Sequence, residues 1–476
     1  MEGYFKGKNM NELRRSKEVV LEAVRSNGEA LEYASEELKG DREVVLEAVR
    51  SKGYALQYAS EELKRDKEVV LEAVRSNGVA LSYASEELKG DKEVVLEAVR
   101  NDGYVLQCAS EELRGDKEVV LEAVKSSFLA LQYASEELQG DKEVVLEAVK
   151  FDGCALEDAS AELQNDKEIE LEAIKSNPLA LEYCYELQDD KDVVLKTVKR
   201  CGQALRGADF DLRMDREVVL EAVKNDGFAL FHVTDEELQE DREVVLEAVK
   251  SNGEALEFAS EELQEDREVV LAAVKNDGYA LKYASEELQE DREVVLAAVK
   301  TTGMALQWAS EELQGDKEVV LEAVRDYGPA LQYVSEELRG DKEVVLEAVK
   351  DDMDVGVVLK YASEELREDK EIVLEAVKNR YALEYASEEL RGDKEVVLEA
   401  VKNHGETIQY ASAELQGDEE VILEAIRSNG ISLKYIGAEQ SNEEMRKNLI
   451  EKIKLQKEQI TKQQEEIRAL NLEEQK

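Results

Sequence analysis

A stretch of 25 residues, seen cleanly at 41–65 as DREVVLEAVRSKGYALQYASEELKR, recurs with small edits along almost the whole chain. Self-similarity at that period is the signature of a stacked array, because a unit this short cannot bury its own apolar faces. Helix starts of charged-E-V-V-L type fall at residues 17, 42, 67, 92, 117, 142, 167, 191, 216, 242, 267, 292, 317, 342, 370, 394 and 419, giving 17 units. The chain of 476 residues therefore reads as an all-α solenoid over 16–437 and not as several globular domains. At roughly 9 Å per unit its contour approaches 150 Å.

Within one unit, Asp41 precedes an apolar-periodic run and is placed to cap a helix, its carboxylate accepting from free amides at the positive end of the dipole. Val44, Val45, Leu46, Ala48 and Val49 cover an arc too broad for one partner, so the helix is expected to touch a neighbour on each side. Gly53 is expected to close the helix in the left-handed conformation. Ala55, Leu56, Tyr58, Ala59 and Leu63 then form a second apolar set, and Ser60-Glu61-Glu62 reads as a cap that restarts one more turn. Each unit is thus one helix of about ten residues plus a short helix or 3₁₀ turn.

The segment 1–15, with Tyr4, Phe5, Lys6, Lys8, Arg14 and Arg15, reads as an N-terminal cap. No apolar run reaches signal-peptide or membrane-span length, which points to a cytoplasmic protein without a membrane partner. The four cysteines, Cys108, Cys154, Cys184 and Cys201, lack C-x-x-C spacing and read as plain buried thiols. Unit length varies at 151–240 and again at 351–381, where DDMDVGVVLK adds residues and KNRYALEY lacks the glycine. These are bends or recognition loops, or else drift in a tolerant array. Beyond Gly437, residues 438–476 are expected to form a separate C-terminal helix. Leu449, Ile453, Gln456, Ile460, Gln463, Ile467 and Leu470 trace a heptad seam there, consistent either with weak self-association through a coiled coil or with a helix folded back as a cap.

Stacking turns each unit position into a column. The column of Arg42 is basic in every unit but the last and that of Arg50 is always Lys or Arg, while Glu43 and Glu47 head acidic columns. The long-helix face is close to neutral and suited to i,i+3 and i,i+4 pairs. The net charge of −50, about −2.9 per unit, is then assigned to the S-E-E-L-x-x-D segment, with some three uncompensated carboxylates per unit along one edge. Such an edge repels nucleic acid and attracts basic protein surfaces, or else only keeps an apolar stack soluble. An aromatic column begins at Tyr33, Tyr58 and Tyr83 and is broken at Cys108, Asp158, Gly207 and His232; core packing is the expected reason for it.

Catalytic signatures are absent: no Walker loop, dinucleotide fingerprint, H-E-x-x-H, nucleophile elbow or calcium loop occurs, and neither His232 nor His404 has a nucleophile or metal partner in sequence. No catalytic residue, cofactor or metal is expected. The expected function is a non-enzymatic scaffold holding a basic protein partner, with an acidic mimic of nucleic acid as the alternative. The residues proposed to carry binding are Glu261, Glu262, Glu286, Glu287, Glu311 and Glu312 in the regular block 254–348, and Phe228, Phe231 and His232 in the irregular middle.

The motif D-x-E-V-V-L-x-A-V-x-x-N-G-x-A-L-x-Y-A-S-E-E-L resembles a repeat family of bacteria and unicellular eukaryotes catalogued as a domain of unknown function. In that family two 25-residue units make one domain of about fifty residues. The resemblance implies a helical repeat protein and supplies no activity and no site residues.

Overall fold

The computed structural model describes residues 14–350 and 356–428. Among them there is no strand, and a ten-residue helix of the kind seen at Arg42–Ser51 opens most units. All 17 helix starts expected from the repeat are occupied, from Lys17–Ser26 to Glu419–Ser428. The chain divides into two compact units, residues 1–239 and 240–476, each built from these repeats as an all-α solenoid. Most of the N-terminal cap segment, the residues added at 351–355 and the heptad segment lie outside the described residues.

A regular repeat contains three elements. In the unit of Asp41, the carboxylate accepts from the amides of Glu43 at 3.0 Å and Val44 at 3.2 Å, as expected of a cap. Val44, Val45, Ala48 and Val49 of helix Arg42–Ser51 are fully buried, packed against helices Lys17–Ser26 and Lys67–Ser76 on either side. Leu46 is only half-buried, so the buried arc is narrower than the periodicity suggests. A six-residue 3₁₀ helix, Gly53–Tyr58, follows and buries Ala55 and Leu56. The S-E-E-L segment then makes one short turn, an α-turn at Glu36–Lys39 and a 3₁₀ turn at Leu63–Arg65.

The glycine does not cap the long helix. Lys52, which ends it, is extended (φ −148°), and among described residues only Gly356 is a glycine with positive φ, at 68°. Gly53 is required for close approach instead. A Cβ there would sit 2.3 Å from the carbonyl oxygen of Ala73 in the next repeat's long helix. Its N–H, brought that near, donates to Ser76 Oγ at 3.0 Å.

Repeats are joined by groups spaced about one period apart. The amide of Ser60 donates to the carbonyl of Lys39 at 2.9 Å, and Ser85 to Lys64 at 3.0 Å, stitching one short turn to the next. The charge columns also run between repeats and not only along each helix. Lys67 Nζ lies 2.7 Å from Asp91 and 2.9 Å from Glu93, and Arg50 lies 3.0 Å from Glu72. These contacts supplement the expected i,i+3 pairs, of which Arg50–Glu47 at 3.3 Å is one.

The irregular repeats show how the stack absorbs changes in length. In the 24-residue repeat at 167–190, Y-A-S-E-E-L has shrunk to Tyr183-Cys184-Tyr185-Glu186-Leu187. Glu170, in a slot held by valine or, once, isoleucine in the other repeats, is fully buried and its Oε1 accepts from the Glu186 amide at 2.9 Å. A side chain from the long helix thus satisfies an amide near the shortened turn. In the repeat at 370–393, Arg380 holds the glycine slot. The long helix there is cut to Lys370–Ala376, and the 3₁₀ element becomes the α-turn Ala382–Tyr385.

Candidate interaction surface

The short S-E-E-L turn projects from the stack because only its leucine is buried, as Leu38 and Leu263 are. Both glutamates are exposed, and the side chain of the first is 90% exposed at Glu36 and 95% at Glu111. Their electrostatic setting depends on the residue after the leucine. Where it is lysine, the first glutamate has a partner three residues away, as in Lys39–Glu36 at 2.9 Å and Lys89–Glu86 at 2.7 Å. Where it is glutamine, the amide turns inward. Gln264 Nε2 donates to the carbonyls of Leu256 at 3.1 Å and Ala259 at 3.2 Å, and Gln289 and Gln314 repeat the arrangement in the following repeats. Glutamine therefore clamps the turn to the 3₁₀ helix and supplies no charge.

Glu261, Glu262, Glu286, Glu287, Glu311 and Glu312 all lie on such glutamine turns. All six are exposed, and no ion pair to them occurs among the described residues. Glu265 and Glu290 add two exposed carboxylates to the same row. The aspartates are different. Asp266, Asp291 and Asp316 meet Arg242, Arg267 and Arg292 of the preceding repeat at 2.9, 2.8 and 2.9 Å, so the capping column is compensated and does not belong to the free edge. The arginine, together with two helix-start amides, holds each of these carboxyls below the usual aspartate range.

Phe228, Phe231 and His232 come together within the compact unit of residues 1–239. Phe228 and Phe231 have ring centroids 5.7 Å apart, and Phe231 meets His232 edge-on at 5.2 Å. His232 Nε2 is 3.1 Å from Gln203 Oε1, and Gln203 in turn donates to Asp226 at 2.8 Å. Burial, with Arg206 and Arg213 nearby, lowers the imidazole pKa. The histidine is a half-buried, hydrogen-bonded ring beside the exposed Phe231, and no cluster of metal-ligating side chains occurs among the described residues.

The aromatic column is not core. Tyr33 is 53% exposed and its successors from Tyr58 to Tyr410 are half-buried, forming a ladder along the 3₁₀ helices. Rungs are linked edge-to-face where the residue after the glycine is also aromatic: Tyr54–Tyr83 at 5.1 Å, Tyr104–Tyr133 at 5.5 Å and Tyr279–Trp308 at 5.5 Å. Burial, then the Glu257 carboxylate that accepts the Tyr283 hydroxyl at 2.9 Å, push that phenol up to about 12. The thiols are likewise less buried than expected. Cys184 is enclosed, with Sγ 3.1 Å from the Ala180 carbonyl, whereas Cys108, Cys154 and Cys201 are half-buried.

Tyr185 and Phe210 escape a reading by composition. Each occupies the first-glutamate slot of its turn, and they are 58% and 51% exposed. Aligning the repeats by column would have flagged them as the places where the acidic edge turns aromatic.

Short helices linked by 3₁₀ turns and stapled at a 25-residue period define an all-α repeat protein. The profile of the domain of unknown function DUF4116 matches twelve segments, some of them overlapping, from 11–39 to 393–439, and the chain belongs to that family. No curated protein matches the chain.

Proposed function

We propose that the chain is a non-enzymatic, cytoplasmic interaction scaffold whose glutamine-turn edge holds a basic protein partner. The observation that carries this reading is the row of exposed glutamates at 261–312, left without countercharge by glutamines that bond inward. Charges already committed between repeats have little to offer a partner. Charges free of ion pairs steer and hold one at the cost of salt sensitivity. The same row, repeated from turn to turn, favours a second reading as a mimic of a nucleic-acid backbone.

Changing Glu261, Glu262, Glu286, Glu287, Glu311 and Glu312 to Gln tests the proposal, because the capping aspartates and their arginines stay in place. Helicity should be unchanged, while affinity for the basic partner recovered from the native cell should fall and its salt dependence flatten. Unchanged affinity and salt slope would refute it. Release of that partner by added DNA would favour the mimic; retention would favour the scaffold.

A further inference from the structure

On the edge of the first compact unit, two consecutive turns replace glutamate by an exposed aromatic, Tyr185 and then Phe210. The turns are neighbours, since the Asp209 amide donates to the Gln188 carbonyl at 2.9 Å. Exposed carboxylates lie on the same two turns, at Glu186, Asp189, Asp209 and Asp211, and on the turn before them, at Glu162. Scattered exposed aromatics need no explanation, but two on successive turns of an acidic edge combine a π-face with negative charge. A cation already lies beside one of the two rings. The guanidinium carbon of Arg213 lies 5.9 Å from the centre of the Phe210 ring. Lysine is the poorer fit, because a planar guanidinium stacks on a ring and still bonds carboxylates through its edge.

We propose that Tyr185 and Phe210 form an anchoring site for arginine side chains of a basic protein segment, with Arg213 occupying the Phe210 face until a partner's arginine takes its place. This rests on the scaffold reading above and specifies the partner as arginine-rich. Charge excludes an anionic membrane or nucleic acid as occupant, and the aromatic faces give arginine an advantage that the glutamate row alone does not.

The test uses the full chain with fluorescent octa-arginine and octa-lysine peptides as probes, measured by anisotropy at low and moderate salt. The wild type should prefer octa-arginine. Tyr185→Ser with Phe210→Ser should weaken octa-arginine by about tenfold while leaving octa-lysine within about twofold, since two exposed cation–π contacts are lost and no charge changes. Arg213→Gln, which vacates the ring face and removes a competing positive charge, should tighten octa-arginine severalfold. That gain cannot come from misfolding. Loss of the preference in the double variant together with the gain in Arg213→Gln supports the proposal. A double variant that keeps both affinity and preference, or an Arg213→Gln variant that binds no better, overturns it. If the six Glu→Gln changes weaken both peptides while the aromatic changes do nothing, the edge binds basic partners but this anchor is wrong. If the wild type binds neither peptide, both readings fall.

Discussion

Two glycines 37 positions apart should respond in opposite ways to the same substitution. In Gly53→Ala, the new Cβ would lie 2.3 Å from the Ala73 carbonyl oxygen, 2.8 Å from the Asn77 amide nitrogen and 3.0 Å from Asn77 Cβ. Carbon contacts are comfortable at about 3.5–4.0 Å, so the 3₁₀ helix must retreat by about 1 Å from the next repeat. Two of the three obstructing atoms are backbone, which cannot rotate away. Retreat also stretches the 3.0 Å bond from the Gly53 amide to Ser76 Oγ and loosens the contacts of buried Ala55 and Leu56. Overpacking of this kind costs about 1–3 kcal/mol. Gly90 has φ −100° and ψ 0°, and a Cβ there meets nothing closer than the Glu87 carbonyl at 3.5 Å. Gly90→Ala should therefore be neutral or stabilise by about 0.4–1 kcal/mol, through loss of freedom in the unfolded chain. Urea titration gives the sign, and native-state amide exchange locates the effect, with protection falling first in helix Lys67–Ser76. A Gly53→Ala chain within about 0.5 kcal/mol of wild type, or a Gly90→Ala chain destabilised as much as Gly53→Ala, would refute the close-approach argument.

Glu170→Gln should stabilise the protein at pH 7, because the amide oxygen can still accept from Glu186 and the buried charge disappears, a gain reduced by the amide nitrogen that then takes the unpartnered place of Oε2. Burial raises the Glu170 pKa in the fold, so its carboxylate penalty is full above the folded value and absent below the unfolded one near pH ~4.3; the advantage in denaturation midpoint should vanish at pH 4, and persistence there would mean charge is not the cost. For Asp116, Asp141 and Asp266 the shift is downward, led by Lys92, Lys117 and Arg242, so their stabilisation is present above the unfolded value near ~3.9 and lost as pH falls through the lower folded value. Circular dichroism should stay helical to about pH 4 and decline below it, and an acid transition near neutrality would contradict the assignment. Arg292→Gln removes the contacts to Asp316 and Glu318, yet its side chain is 46% exposed, so the unfolding midpoint should move only slightly and by less still in 1 M salt; a large, salt-insensitive loss would indicate packing.

What the sequence makes legible is whatever a repeat does within itself. Asp41 as a cap, Val44 and Val49 as core and Ser60 as the start of a new turn follow from local spacing, and all 17 helix starts stand where the pattern puts them. What was misread concerns the relation of one repeat to the next. Gly53 looks like a helix terminator because glycine often ends helices, but its reason is a carbonyl 20 positions away. Asp266 looks like a free carboxylate because its partner, Arg242, lies 24 residues back. Tyr58 looks like core because aromatics at a fixed period usually are, yet the 3₁₀ helix that carries it spends its buried positions on Ala55 and Leu56.

The same distinction separates holding the array together from presenting a surface. Lys67 bridges Asp91 and Glu93 of the next repeat, so a charge change in these columns is felt first at an interface between repeats. The S-E-E-L glutamates carry no such duty. Ser60 makes the stitch between turns through its backbone amide and Leu63 supplies the burial, leaving Glu61 and Glu62 free to vary. That is why tyrosine and phenylalanine at 185 and 210 can replace glutamate without disturbing the Asp209–Gln188 bond beneath them. A position relieved of structural work can change its chemistry at small cost in stability, so recognition in this array should be sought on the short turns before the long helices.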